Sequence, residues 1–347
     1  MTKAPVKNDQ QVSVSPSGEV FPLPTPADYN KELKRLQTLV KKHRREGREI
    51  VVVMGVGFVG AVMAGVVADS PNKFVIGMQR PSPRSYWKIP LLNRGIAPVE
   101  SEDPEVAPLI ARCVLEKKTL TATFTYDALS LADVVVVDVQ CDYFKETLGN
   151  CRQGHADIAA LEESLKVIGE RITPDCLVLI ETTVPPGTTE YVAYPIIKKA
   201  FEKRGLMMPA SVTNAALVPA EPLLAHSYER VMPGREYVSS IRDFWRVCSG
   251  TNATARARVA RFLSEVLNVE KYPLTVLDRP IESETCKIVE NSYRATILAF
   301  LDEWSLFAER NGVDLTKVIK AIKVRPTHAN MIFPGPGIGG YCLPKDG

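Results

Sequence analysis

Paired cysteine motifs are missing from this chain: its seven cysteines (113, 141, 151, 176, 248, 286 and 342) form no Cys-x-x-Cys, and its four histidines (43, 155, 226 and 328) show no metal-ligand spacing. No metal site is expected, and a disulfide framework has no support. Long apolar runs are missing as well. Nothing approaches the roughly 18 residues that span a bilayer, and the N-terminal Met1-Thr-Lys-Ala-Pro-Val-Lys lacks the apolar core of a secretory signal. A cytoplasmic location is therefore expected. Net charge is also small, +3 at pH 7, but residues 31–49 carry eight Lys or Arg against three Glu and leave the remainder near minus two. Within that segment Leu33, Leu36, Leu39 and Val40 recur at helical spacing, so it reads as an amphipathic helix with a basic outer face. Basic runs of this kind usually serve solubility, and neither nucleic acid nor a membrane is expected as a partner.

What is present is length and alternation. At 347 residues two domains are expected. Residues 1–25 are polar and proline-bearing and read as a disordered tail, followed by the basic helix at 26–48. The apolar, β-branched run Glu49–Met54 suits a strand buried on both faces of a parallel sheet. Phe74–Met78, Val134–Val139 and Cys176–Ile180 are further strands, separated by stretches long enough for helical crossovers such as 157–171. The pattern predicts a doubly wound α/β domain over 49–222. A mainly helical central domain is expected over 223–347. Its chief element is a helix from Ile281 to about Arg310, with Pro280 near the first turn and Asn311-Gly312 as the stop. About 30 residues at 1.5 Å each give a rod of roughly 45 Å, long enough to connect two domains.

Several places carry chemistry. Gly55-Val-Gly57-Phe58-Val59-Gly60 follows the first strand directly and opens a helix. There the first glycine permits the turn, the second admits a pyrophosphate, and the third lets helix pack on strand. An acidic ribose ligand is absent after the second strand, where Met78 is followed by Gln79 and Arg80. Gln79 can hydrogen-bond a ribose hydroxyl and Arg80 can pair with a 2′-phosphate, so NADP stands beside NAD. Arg80 reads equally well as a solvated surface arginine. Lys287 and Asn291, four residues apart, share one face of the long helix, suited to oxyanion stabilisation or to plain solvation. Thr182-Thr183-Val-Pro-Pro-Gly-Thr188 leaves the strand ending at Ile180, either as a ligand-binding edge or as an ordinary turn. Glu229 and Arg230 are an acid and a base side by side, a proton acceptor or half of an ion pair. Last comes Gly335-Pro-Gly-Ile-Gly339-Gly-Tyr-Cys342-Leu-Pro-Lys345-Asp346-Gly347, which delivers one thiol on a glycine-rich loop beside a cation.

In this order the segments resemble the UDP-glucose/GDP-mannose dehydrogenase family. The glycine triplet, Leu92–Glu100, Glu181–Thr188, Glu229–Arg235, Lys287-x-x-x-Asn291 and the terminal Gly-Gly-x-Cys-x-x-Lys-Asp run carry the resemblance, which covers Ile50 to Gly347. The Glu-Arg-Val-x-Pro-Gly-Arg wording is closer to the branch acting on UDP-N-acetylhexosamines. The resemblance implies a Rossmann-like domain and a long connecting helix. It also implies NAD(P)-dependent four-electron oxidation of a UDP-sugar 6-hydroxyl through a thioester on Cys342. By it, Lys287 and Asn291 would stabilise oxyanions and relay protons, Asp346 would assist the thiol, Thr183 would hold water, and Glu229 would promote hydrolysis. Gly55, Gly57, Phe58, Val59, Gly60, Gln79, Arg80 and Thr182 would bind cofactor; Arg230, Gly339 and Lys345 would bind substrate. A homodimer is expected through Ile288, Ala295, Leu298 and Phe300 of the long helix. Asp138-Val-Gln140-Cys141 replaces the family's usual Thr-Pro. The family's C-terminal nucleotide-binding domain is missing, so a complementing fragment is expected as a partner. Two other readings stay open: a two-electron β-hydroxyacid dehydrogenase, and a catalytically silent half.

Overall fold

The computed structural model describes residues 11–144, 154–206, 221–232, 234–339 and 342–343. It divides into two compact units, Met1–Cys141 with Ile158–Ser283, and Asp142–Asp157 with Glu284–Gly347. The chain enters the first unit through an antiparallel hairpin, β1 (Val12–Val14) and β2 (Val20–Pro22). From residue 11 onward the expected tail is thus ordered. Buried Ser13 accepts the Trp87 backbone N–H at 3.1 Å, and Arg94 grips both oxygens of Glu19 at 2.9 and 2.7 Å.

The basic helix is α1 (Pro26–Arg45), started by the Asp28 carboxylate accepting the Thr25 N–H at 2.8 Å. Its apolar face buries Leu36 and Val40, and His43 stacks on Phe74 at 3.9 Å. Each such aliphatic burial contributes about 1.5–3 kcal/mol, which fixes the helix with its lysines outward.

Alternation then proceeds through β3 (Glu49–Met54), α2 (Phe58–Asp69), β4 (Lys73–Met78), α3 (Lys88–Asn93), α4 (Val106–Ala111), β5 (Leu120–Thr123) and β6 (Val134–Val137). An antiparallel ribbon of β7 (Asp142–Phe144) and β8 (His155–Asp157) belongs to the second unit. The first unit resumes with α5 (Ala159–Gly169), β9 (Leu177–Ile180), α6 (Tyr194–Lys203), β10 (Leu223–His226), α7 (Tyr237–Arg242), β11 (Val247–Gly250), α8 (Ala253–Val266) and β12 (Thr275–Val276). The eight-stranded sheet has the order β12-β11-β10-β9-β6-β3-β4-β5, parallel except between β10 and β11. Side-chain alternation sends Val51 and Val53 to the face covered by α2, α4 and α8, and Ile50, Val52 and Met54 to the face covered by α1, α5 and α6. This is the expected doubly wound α/β fold. The boundary expected at 222 falls inside this unit, which runs on to Ser283 because β10 to β12 extend the same sheet.

In the second unit the long helix is α9 (Pro280–Asn311), 32 residues whose first turn still lies in the first unit, followed by α10 (Leu315–Ile322). Among the described residues no helix is long and apolar enough to cross a membrane.

Candidate active site

Strand β3 ends beside β6 on one side and β4 on the other, and chain direction reverses its progress across the sheet there. Ligands of open α/β sheets bind in that crevice. The glycines that follow β3 are shaped for it. Gly55 adopts φ +102°, and a Cβ on it would meet the Asp138 carbonyl oxygen at 2.7 Å. On Gly60 a Cβ would lie 1.9 Å from the Gly55 carbonyl oxygen, so helix and strand touch only because the side chain is absent. Around Gly57 nothing stands within 4 Å of a Cβ, and this residue caps α2 with no side-chain hydrogen bond. The start of α2 is therefore open on the Cβ side of Gly57, which leaves room there for a pyrophosphate. Phe58 and half-buried Val59 follow; the Phe58 ring stacks on Tyr237 at 4.8 Å, and the Tyr237 hydroxyl donates to the Phe58 carbonyl at 2.6 Å.

Gly57→Val should keep the fold, since its φ of −82° suits any residue, and lose nicotinamide-cofactor affinity by roughly 100-fold, about 2.7 kcal/mol. Gly60→Val should fail to fold because the clash is with backbone. Thermal melting with a fluorescence titration of NADH checks both; equal melting losses would make Gly57 a packing residue.

At the end of β4, the Gln79 amide nitrogen lies 3.4 Å from the Ser85 hydroxyl, and Arg80 is exposed, 3.7 Å from Glu163. Thr182 and Thr183 follow β9 at the same sheet edge and are half-buried. The Thr182 N–H points to the Val137 carbonyl at 3.4 Å.

Register places a second set of groups along this edge. Met54 pairs with Val137, Val137 with Ile180, and Ile180 with His226. The next residues, Gly55, Asp138, Glu181 and Ser227, thus stand side by side on adjacent strands spaced about 4.8 Å apart. Glu181 is fully buried, and Arg246, 2% exposed, approaches its Oε1 at 2.9 Å. That approach is an ion contact and not an aligned hydrogen bond, since neither Glu181 oxygen has one among the described residues. Arg246 also donates to the Tyr228 carbonyl at 2.7 Å, while its Nη2, the Ser227 hydroxyl and Asp138 Oδ2 are buried without hydrogen-bond partners among the described residues. Glu229 accepts the Val231 N–H at 2.5 Å, and Arg230 lies over the Tyr228 ring at 5.2 Å. Burial pushes the Glu181 carboxyl up to about 7 against the pull of Arg246, with Glu229 adding to the rise. The Asp138 carboxyl is raised well above its ordinary range by burial, then by Glu181 and Glu229. His226 is held neutral, pushed down to about 3 by burial, with Nδ1 2.7 Å from the Ser283 hydroxyl. Sequence reasoning missed Asp138, Glu181 and Arg246 as site residues. The available signal was an acid directly after four apolar strand residues, in Val-Val-Val-Val-Asp138 and again in Leu-Val-Leu-Ile-Glu181.

In the second unit, Lys287 and Asn291 are half-buried on one face of α9, and Asn291 joins Arg294, Thr327, His328 and Asn330 around a cavity of about 750 Å³. Gly339 and Cys342 are exposed. Lys345 and Asp346 lie outside the described residues. Thr183 and Glu229 belong to the first unit, whereas Lys287, Asn291 and Cys342 belong to the second.

The sheet, its switch point and the glycine turn define a dinucleotide-binding α/β protein. Residues 49–266 match the UDP-glucose/GDP-mannose dehydrogenase family, NAD binding domain, and residues 281–347 match the central domain of the same family. The chain belongs to that family, and its cofactor is NAD. UDP-N-acetyl-D-mannosamine dehydrogenase of Salmonella typhimurium is 28% identical over 297 residues, covering 85% of this chain and 63% of that protein. The protein of that name from Pyrococcus horikoshii is 28% identical over 298 residues, with 85% and 62% covered. The solved structure of NDP-N-acetyl-D-galactosaminuronic acid dehydrogenase from Methanosarcina mazei Go1 superposes with a TM-score of 0.70 at 28% identity, covering 90% of this chain and 61% of that one. The chain spans about three fifths of the length of these relatives.

Proposed function

We propose that this chain is the cofactor-binding and catalytic part of a nucleotide-sugar 6-dehydrogenase. It would oxidise the 6-hydroxyl of a UDP-sugar, a UDP-N-acetylhexosamine or UDP-glucose, to the uronic acid in two NAD-dependent steps. The observation that carries this reading is the joint presence of an NAD-binding glycine turn and an exposed Cys342 in one chain of this family. NAD supplies the hydride acceptor for each oxidation. Lys287 and Asn291, on one helix face, stabilise the alkoxide and take up the proton that leaves the alcohol. The Cys342 thiolate adds to the aldehyde, loss of a second hydride leaves a thioester, and water releases the acid while the sulfur regains its proton. Asp346 assists the thiol, Thr183 holds the water, and Arg230, Gly339 and Lys345 bind substrate.

Glu229, half-buried and accepting the Val231 N–H, promotes hydrolysis of the thioester. Gln79 takes the adenosine ribose, and Glu163 beside Arg80 disfavours a 2′-phosphate, so NAD is preferred over NADP. A dimer forms through α9, whose exposed Tyr293, Phe300, Trp304 and Phe307 make an apolar stripe.

A panel of UDP-sugars followed by nicotinamide absorbance with either cofactor, with and without a complementing C-terminal fragment, tests the reading. Two NADH per sugar and NAD preferred at least about tenfold are expected. One NADH per substrate would indicate a two-electron dehydrogenase, and no turnover in any arm a silent half.

A further inference from the structure

Asp138 is an unusual neighbour for an anionic cofactor. Its backbone forms the floor of the glycine turn: a Cβ on Gly55 would strike its carbonyl oxygen, and one on Gly60 would lie 3.1 Å from its Cβ. Parallel register sets it next to Glu181 on the neighbouring strand, with both side chains on the same face. The charged and titratable groups facing this pair are Glu229 after β10, Arg246 before β11 and Tyr237 on α7. His226, on β10, is neutral. Asp138 and Glu181 therefore share one buried guanidinium, and Asp138 Oδ2 and both Glu181 oxygens have no aligned donor among the described residues. Two adjacent carboxylates in such a place do not both ionise.

We propose that Asp138 stands in the dinucleotide site beside Glu181 as an uncharged carboxylic acid, and that its own proton is what lets an acidic residue line the approach of NAD's pyrophosphate. Asp138 is a positioning residue: it supplies a hydrogen-bond donor toward Glu181 and keeps negative charge away from the phosphate-binding turn. Burial is the first cause of its raised carboxyl, followed by the Glu181 and Glu229 charges, so the physical setting agrees with the register. The sign for stability follows. In the unfolded chain Asp138 loses its proton near pH 3.9, but in the folded chain it keeps it, so folding takes up a proton above that pH and stability declines as pH rises toward the folded value. For cofactor the sign is the same: NAD binds best while the proton is held, and affinity falls once alkaline pH removes it.

The inference rests on NAD binding, so it is tested on two independent readouts with the full chain and Asp138→Asn. In the first, urea unfolding is followed from about pH 5 to pH 7. The wild-type folding constant should fall about tenfold more steeply per pH unit than that of the variant, because one proton of linkage is lost. Equal steepness overturns the proposal. In the second, NADH is titrated by fluorescence. At pH 7 the variant should bind within about twofold of wild type, and at alkaline pH only wild type should weaken. Binding tightened about tenfold or more by Asp138→Asn at pH 7 would mean that the native residue carries a charge, and would overturn the proposal. If neither protein binds NADH, the unfolding arm still decides the protonation state and the cofactor reading alone fails. Should the variant not fold, infrared spectra of the wild-type chain at pH 7 must show a protonated-carboxyl stretch, and its absence overturns the proposal.

Discussion

Arg246→Met is expected to cost about 3–5 kcal/mol of stability at pH 8, and substantially less near pH 5. Arg246 is 2% exposed and, among the described residues, is the cation that acts on both Asp138 and Glu181. Methionine fills the volume of the stem but leaves Glu181 without its buried counter-charge, and it orphans the Tyr228 carbonyl that Nη1 now satisfies at 2.7 Å. Loss of the cation raises the folded-state carboxyls further above their unfolded values. A carboxyl raised on folding takes up a proton as the chain folds, so the penalty grows above the unfolded value near 4 and shrinks as acid supplies the proton in both states. Urea unfolding at the two pH values checks this; a loss below about 1 kcal/mol, or one independent of pH, would show that the acid row is not held by Arg246.

The contrast between Arg246 and the glycine turn shows what a sequence makes legible. Strand β3, the Gly55–Gly60 turn and α2 are contiguous, so periodicity and spacing were enough to place them, and the same holds for α1 and α9. Strands β5, β10 and β11 were not legible because Leu-Thr-Ala-Thr, Leu-Leu-Ala-His and Val-Cys-Ser-Gly are four residues long and rich in small or polar groups. Their strand character comes from pairing with neighbours already in the sheet. The N-terminal hairpin was hidden for a related reason: its order depends on Trp87 and Arg94, more than 70 residues away. Gly55, Asp138, Glu181 and Ser227 are far apart in sequence and become one row only through the register of three strand pairs, and Arg246 reaches them only through the antiparallel pairing of β11 with β10. The perturbed acidity of Asp138 and Glu181 is a tertiary property with no local signature.

Cys342→Ala should reduce uronate formation by roughly 10³-fold or more while the first oxidation survives, in whichever form of the protein, alone or complemented, turns over. Burial distinguishes this thiol from the others. Cys113 and Cys248 are buried and pushed up to about 12, Cys176 is pushed up by burial as well, and Cys141 is also buried. Such thiols hold almost no thiolate at neutral pH. Cys286 is half-buried, and Cys342 is the exposed thiol among the described cysteines. Iodoacetamide should accordingly modify Cys342 first, and the loss of acid formation should track that modification as read by peptide mass. In the variant the reaction stops at the aldehyde, because without sulfur there is no tetrahedral adduct from which a second hydride can leave. Single-turnover absorbance would then record one NADH per sugar in place of two, with the aldehyde captured by hydroxylamine. Two NADH per sugar from Cys342→Ala would mean that hydrated aldehyde, not a thiohemiacetal, is the species oxidised, and the thioester route would be lost with it.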